Sequence, residues 1–229
     1  MQAVMELNAD FSRRVVMHAE ALPWMDSPLP GVRRRMLDRI GGEVARATTI
    51  VSYAPDSRFS SNVHGGGEEF VVLEGVFEDE HGGYPVGSYV RNPPQSRHTP
   101  GSTSGCMMFV KLWQFDPADR THVRLNFDGM ESIADPARAG VTVTPLFSDE
   151  HENVRIETWA PGIRTSVDAT AGAEILVLAG GFVEGADHLH EYSWIRVPIG
   201  ERAQVLSGRD GARVWIKTGH LRFARHVGA

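Results

Sequence analysis

Short runs of β-branched and aromatic residues, each bounded by Gly, Pro or Asp, recur along this chain, and the 3.6-residue spacing of an amphipathic helix is scarce. VARATTIVSY, EFVVLEGVF, GSYVRNPP and CMMFVKLWQF fall in the first half, and VRIETW, EILVLAGGF, YSWIRVP and ARVWIKT in the second. The pattern predicts an all-β protein. PWMDSPLPG before Val32 and FDGMESIADPARAG before Val141 carry turn and breaker residues with little periodicity, so they read as loops or linkers.

The runs of the two halves match one another in order. EEFVVLEGVF at 68–77 resembles AEILVLAGGF at 173–182, a shift of 105, and the same shift carries SYVRNPP at 88–94 onto SWIRVPI at 193–199. A shift of 106 carries GCMMFVKLWQF at 105–115 onto GARVWIKTGHL at 211–221, and Ala54-Pro55 onto Ala160-Pro161. Self-similarity at one period predicts two copies of a single barrel, each closing its own sheet edges. The expected organisation is an N-terminal arm over 1–30, a first barrel over 31–130 and a second over 131–229.

Composition narrows the partners. The 229 residues carry a formal net charge of -6, which repels a phosphate backbone, and nucleic acid is not expected as a partner. The one basic run, Arg33, Arg34 and Arg35, is followed by Asp38 and reads as a solvated strand face. Cys106 is the only cysteine, which excludes an intrachain disulfide or a cysteine-pair zinc site and suits a reducing compartment; it is expected as a small buried apolar residue. MQAVMELNADFSRR lacks the apolar core of a signal peptide, and no later run reaches membrane-spanning length. A cytoplasmic protein with no membrane partner is expected.

Candidate chemistry lies in the first copy, where NVHGGGEEFVVLEG precedes GSYVRNPPQSRHT. Asn62 and His64 are two apart on a predicted strand and so face the same side, into the barrel. Glu68 follows three glycines, whose freedom at positive φ permits a tight turn that returns a carboxylate to the imidazole. His98 comes from a later strand, after the Pro93-Pro94 turn. Two neutral imidazoles and one carboxylate from separate strands match a borderline divalent ion such as Zn, Fe(II), Mn or Ni better than Ca or Mg. Glu69 neighbours Glu68 and is the alternative carboxylate, but the six-residue interval to Gly75 favours Glu68.

These residues resemble the two cupin motifs: His-x-His, three residues, Glu, six residues, Gly, and then Gly, five residues, Pro-x-Gly, two residues, His. His64, Glu68 and Gly75 fit the first, and Gly87, Pro93 and His98 fit the second, while Asn62 stands at the first histidine and Gln95 at the last glycine. GGEEFVVLEGVFEDEHGGYPVGSYVRNPP with GCMMFVKL is more closely similar to the cupin domain of ChrR-type anti-sigma factors, strongly over 31–126 and weakly over 140–222. The resemblance implies a double cupin of two jelly-roll-like barrels and a zinc ion on the motif positions Asn62, His64, Glu68 and His98. An amide oxygen is a poor ligand for such ions. With Asn62 not bound, three protein donors and water resemble the two-His-one-carboxylate set of non-haem Fe(II) oxygenases.

The second copy has Val167, Ala169, Ala173 and Ala203 at the four positions, none of them a ligand. Its Asp187, His188, His190 and Glu191 fall on the connection held by Gly83 to Val86 in the first copy and read as a solvated turn. His18, His81, His122, His151, His220 and His226 share no ligand spacing and read as surface residues. No glycine loop opening a helix and no nucleophile elbow is present, which argues against nucleotide binding and hydrolase chemistry.

Three functions are therefore expected in competition. The first is a regulatory or sensory metal cupin, with a sigma factor as partner by resemblance only. ChrR-like proteins grip their sigma factor with a His-x-x-x-Cys-x-x-Cys cluster, which this single-cysteine chain lacks. The second is a mononuclear metal dioxygenase acting on a small ketone or diketone, since an ion with open positions admits substrate. The third is a structural binding module. Homo-oligomerisation is expected because double cupins expose broad sheet faces.

Overall fold

The computed structural model describes residues 5–42 and 44–224; residues 1–4 of the expected arm and His226 lie outside them. Among the described residues, apart from three short 3-10 turns, every regular element is a β-strand, as the period-2 runs predict. No helix among the described residues is long and apolar enough to cross a membrane. The strands form two compact units, one of residues 5–9 and 22–129 and the other of Asp10–Ala21 and Met130–Ala224.

In the first unit the main sheet runs Met5–Leu7, Val32–Gly41, Ala45–Tyr53, Cys106–Leu112, Glu68–Asp79, Ser88–Asn92, Val123–Asn126, all antiparallel. A separate two-stranded ribbon pairs Asn62–His64 with Ser96–His98. Phe70, Val72, Phe77, Val90, Met108 and Val110 fill the interior. Cys106 lies in that core, as expected, and burial pushes its thiol up to about 11.

In the second unit the order is Ile133–Ala134, Val141–Ser148, Asn153–Trp159, Glu201–Thr218, Ala173–Glu184, Ser193–Val197, Val15–His18. Slot for slot this is the first sheet again, with one exchange. The outermost place beside Ser88–Asn92 is filled by Val123–Asn126, which follows its barrel. The matching place beside Ser193–Val197 is filled by Val15–His18, from the segment expected as an arm. Even the aromatic cover repeats, since Arg91 lies 4.3 Å from the Phe115 ring centroid and Arg196 lies 4.3 Å from that of Phe11.

The second face of each central sheet holds charge that periodicity did not disclose. Glu69 is flanked across the ladder by Arg91 and Lys111, and Glu174 by Arg196 and Lys217, all of them buried. Buried charges persist only when paired. Glu69 accepts from the Tyr89 hydroxyl at 2.6 Å, and Glu174 accepts from Trp194 Nε1 at 3.1 Å and lies 2.9 Å from His220 Nε2. His220 is therefore a buried member of this network and not the surface residue its isolated position in the sequence suggests.

Two further expectations need adjustment. Asp187–His190 is a strand and not a turn; its Leu189 points into the core while His188 and His190 alternate outward. The arginine run is only partly solvated, because Arg33 and Arg35 lie over the Trp24 ring at 5.4 and 4.3 Å.

The strand Glu68–Asp79 and its repeat counterpart Ala173–Glu184 each bend at one glycine. Gly75 has φ +67, and a Cβ there would sit 2.1 Å from the Gly105 carbonyl oxygen. Gly180, its repeat partner, has φ +68, and a Cβ there would sit 2.3 Å from the Gly211 carbonyl oxygen. The ladder shifts register beside both, as a β-bulge does.

Candidate metal centre

Three elements bring His64, Glu68 and His98 together. His64 ends one strand of the ribbon, His98 ends the other, and Glu68 opens the long central strand Glu68–Asp79. The GGG segment makes the turn between the first two ligand candidates, but only one of its glycines is there for positive φ. Gly67 has φ +80, whereas at Gly65 and Gly66 a Cβ would lie 3.0 and 2.3 Å from the Trp113 indole. Those two are required by the close approach of a ring. The Trp113 backbone N–H donates to the Gly67 carbonyl at 3.1 Å, which ties the end of the strand Cys106–Leu112 to the turn.

The second motif keeps its shape despite losing its glycine. Gln95 adopts φ 69, the conformation the absent glycine would take freely, and its N–H donates to the His64 carbonyl at 2.7 Å. Left-handed backbone costs a non-glycine residue about 1–2 kcal/mol, so this turn is held by its surroundings.

At the centre, one carboxylate oxygen faces both imidazoles. Glu68 Oε2 lies 3.3 Å from His64 Nε2 and 3.5 Å from His98 Nε2, and the two rings meet edge to face at 4.7 Å. The ligand-capable atoms of all three lie within 4.8 Å of one another. Bonds of roughly 2.0–2.2 Å at tetrahedral angles would set donor atoms about 3.4 Å apart, close to the two contacts to Glu68. His64 Nε2 is buried without a hydrogen-bond partner. Burial pushes His64 below its ordinary range, with the Glu68 charge opposing and His98 assisting, and this keeps the imidazole neutral with a lone pair to offer. A borderline divalent ion fits this donor set.

Glu68 and Glu69 are separated by the alternation of the strand. Glu68 turns inward and accepts from Asn92 Nδ2 at 3.5 Å, while Glu69 turns to the buried charged face. Asn62 sits opposite His98 in the ribbon and two residues from His64, so strand geometry sends its side chain to the same face; it is exposed, unlike either histidine.

Asp79 is a member of the site that the motifs do not contain. It ends the strand that Glu68 begins, its side chain is 1% exposed, and its Oδ2 lies 3.4 Å from His98 Nδ1. Tyr84 Oη donates to Asp79 Oδ1 at 3.1 Å and the His81 N–H donates to it at 2.8 Å. Burial alone would lower His98, but the Asp79 hydrogen bond and the Glu68 charge outweigh it and hold the imidazole above its ordinary range. The Phe77 ring lies 5.6 Å from that of His98 and closes the apolar side.

The second barrel has nothing comparable at the repeat positions. Val167, Ala169, Ala173 and Ala203 are fully buried and belong to its hydrophobic core with Trp159 and Phe182.

Known proteins place this architecture. Residues 12–116 match the family model described as the ChrR Cupin-like domain. No curated protein matches the chain. Among solved structures, a putative dioxygenase from Nostoc punctiforme is similar with TM-score 0.75 at 12% identity, covering 95% of this chain and 85% of that one. A bacterial pirin from Escherichia coli in complex with nickel(II) gives TM-score 0.64 at 12% identity, over 90% of this chain and 99% of that one. A cupin 2 conserved barrel domain protein from Leptotrichia buccalis gives 0.56 at 10% identity, over 84% and 91%. At such identities the likeness speaks for the fold, and it agrees with the sheet order and the internal repeat. The chain has the fold of a double cupin, and over residues 12–116 it resembles the ChrR Cupin-like domain.

Proposed function

We propose that the first barrel binds one divalent transition-metal ion through His64, Glu68 and His98, and that the protein is a regulatory or sensory cupin of the ChrR-like kind. The observation that supports this reading is the convergence of two buried imidazole nitrogens on one carboxylate oxygen inside an apolar barrel. By resemblance the ion is zinc; Fe, Mn and Ni suit the same donors. When bound, the ion supplies a Lewis-acid centre with positions the protein does not fill. The chain's own residues do the rest. His64, Glu68 and His98 would hold the ion, Asn92 orients Glu68, and the Phe77 ring covers the apolar side of His98. Burial, and then the Glu68 charge, pushes the Tyr53 hydroxyl above its ordinary range.

A second reading, a mononuclear dioxygenase acting on a small ketone or diketone, is favoured by the three-donor set with Asn62 left exposed, since open positions admit substrate. Asn62→His separates the two. The wild type is expected to bind one equivalent of ion per chain, read by elemental analysis; none, or two, would sink the metal reading. Asn62→His adds a nitrogen on the His64 face and is expected to raise affinity about ten- to hundred-fold, measured against a calibrated chelator. If oxygen uptake with candidate ketones is present in the Fe(II)-loaded wild type and falls in this variant, the enzyme reading stands. No uptake in either leaves the sensory one.

A further inference from the structure

The strand Glu68–Asp79 has twelve residues and, drawn straight, would separate its ends by about 36 Å. Its two terminal carboxylates nevertheless reach opposite nitrogens of one imidazole, Glu68 at His98 Nε2 and Asp79 at His98 Nδ1. The bend at Gly75 makes this possible. We infer that Asp79 is the positioning residue of the metal site: it accepts the proton of His98 Nδ1 and so fixes the tautomer whose Nε2 lone pair points at Glu68 and His64. This rests on the metal reading given above and extends it to a residue outside the ligand set.

Three features support the assignment. The Asp79 side chain is almost wholly buried, so its negative charge needs donors, and those present are a backbone N–H, the Tyr84 hydroxyl and His98. The first two are nearest Oδ1, at 2.8 and 3.1 Å, and Oδ2 faces the imidazole at 3.4 Å with the Tyr84 hydroxyl at the same distance. The ring of His98 is also braced by Phe77, so rotation about its axis is restricted and the Asp79 contact selects which nitrogen carries hydrogen. A carboxylate behind a ligating histidine raises its basicity and locks its orientation.

The test has a readout in the metal-free protein. Long-range nitrogen–proton correlation of the histidine rings, recorded above the imidazole titration, is expected to show His98 protonated at Nδ1 in the wild type. In Asp79→Ala that preference should be lost and zinc affinity should fall about ten- to hundred-fold. Asp79→Asn, which keeps an acceptor oxygen of the same shape, should lose less than the alanine variant. Tyr84→Phe serves if Asp79→Ala does not fold, and it should weaken zinc binding by a smaller factor. Hydrogen on Nε2 of wild-type His98, or zinc affinity in Asp79→Ala within twofold of wild type, overturns the inference. A merely structural Asp79 would lower thermal stability and leave the tautomer unchanged. Should the wild type bind no zinc at all, the metal reading fails, and the tautomer alone then decides whether Asp79 orients His98.

Discussion

Gly75→Ala is expected to cost about 3–4 kcal/mol of stability and to weaken ion binding in the same variant. Two separate penalties combine. An alanine forced to φ +67 forfeits about 1–2 kcal/mol, and its Cβ would sit 2.1 Å from the Gly105 carbonyl oxygen, a backbone atom just before the paired strand Cys106–Leu112 that already accepts from the Val76 N–H at 3.4 Å. Relief requires straightening the bulge, and a straighter strand draws Glu68 and Asp79 away from His98. Gly180→Ala is the control. Its clash with Gly211 is nearly the same, so the stability loss should match, but the second barrel has only Val and Ala where ligands would stand and ion affinity should not move. Urea unfolding with chelator competition on both variants checks this. If Gly75→Ala unfolds with the wild type, or if Gly180→Ala weakens the ion equally, the link between bulge and site is wrong.

Glu157→Ala is expected to destabilise the second barrel by about 3–5 kcal/mol, the usual result of removing one partner of a buried charge cluster. The Glu157 side chain is fully buried and accepts from Arg138 Nη1 and Nη2 at 2.9 Å each, from Arg155 Nε at 2.7 Å and from Trp159 Nε1 at 2.8 Å. Loss of the carboxylate leaves two guanidinium groups and an indole facing an empty pocket. Burial alone would raise the acid's pKa, but the Arg138 hydrogen bonds, the Arg155 charge and the Trp159 donor outweigh it and hold Glu157 below its ordinary 4.5. A lowered folded value means that the stabilisation is complete above the unfolded pKa and is lost as pH falls through the folded one. The gap between wild type and Glu157→Ala should therefore be full near about pH 7 and shrink as the solution is acidified below about 4.5. A gap that held constant through that range would mean Glu157 is not ionised in the fold.

Much of the architecture was legible because it repeats. Alternating runs at a fixed shift specify strands, faces and the number of barrels, and motif spacing singled out His64, Glu68 and His98, whose donor atoms do converge. Sequence spacing is blind to what approaches from outside a segment. The reason for Gly65 and Gly66 is the Trp113 ring, nearly fifty residues downstream. Asp79 falls between the two motifs and carries no local signal, since only the Gly75 bend returns it to His98. Arg138 sits in a stretch rich in breakers that reads as linker, yet it reaches a buried carboxylate. The paired charges on the second sheet faces escaped for a related reason. A buried Glu between Arg and Lys has the same alternation as a solvated one, and only the burial tells them apart. His220 was misread by the same ambiguity.

The exchange of edge strands has a bearing on how this chain is made. Val15–His18 leaves the ribosome long before its pairing partner Ser193–Val197, since His18 and Ser193 are 175 positions apart. The second sheet therefore cannot be finished by the residues that follow the first, and it must close a loop spanning most of the polypeptide, a contact of high sequence separation that slows folding. Until then Val15–His18 has no ladder of its own, and Ser193–Val197 presents an unpaired flank on which another chain's copy of Val15–His18 could settle. The two barrels are thus one folding problem, and a cut between them near residue 130 would leave the second without its border.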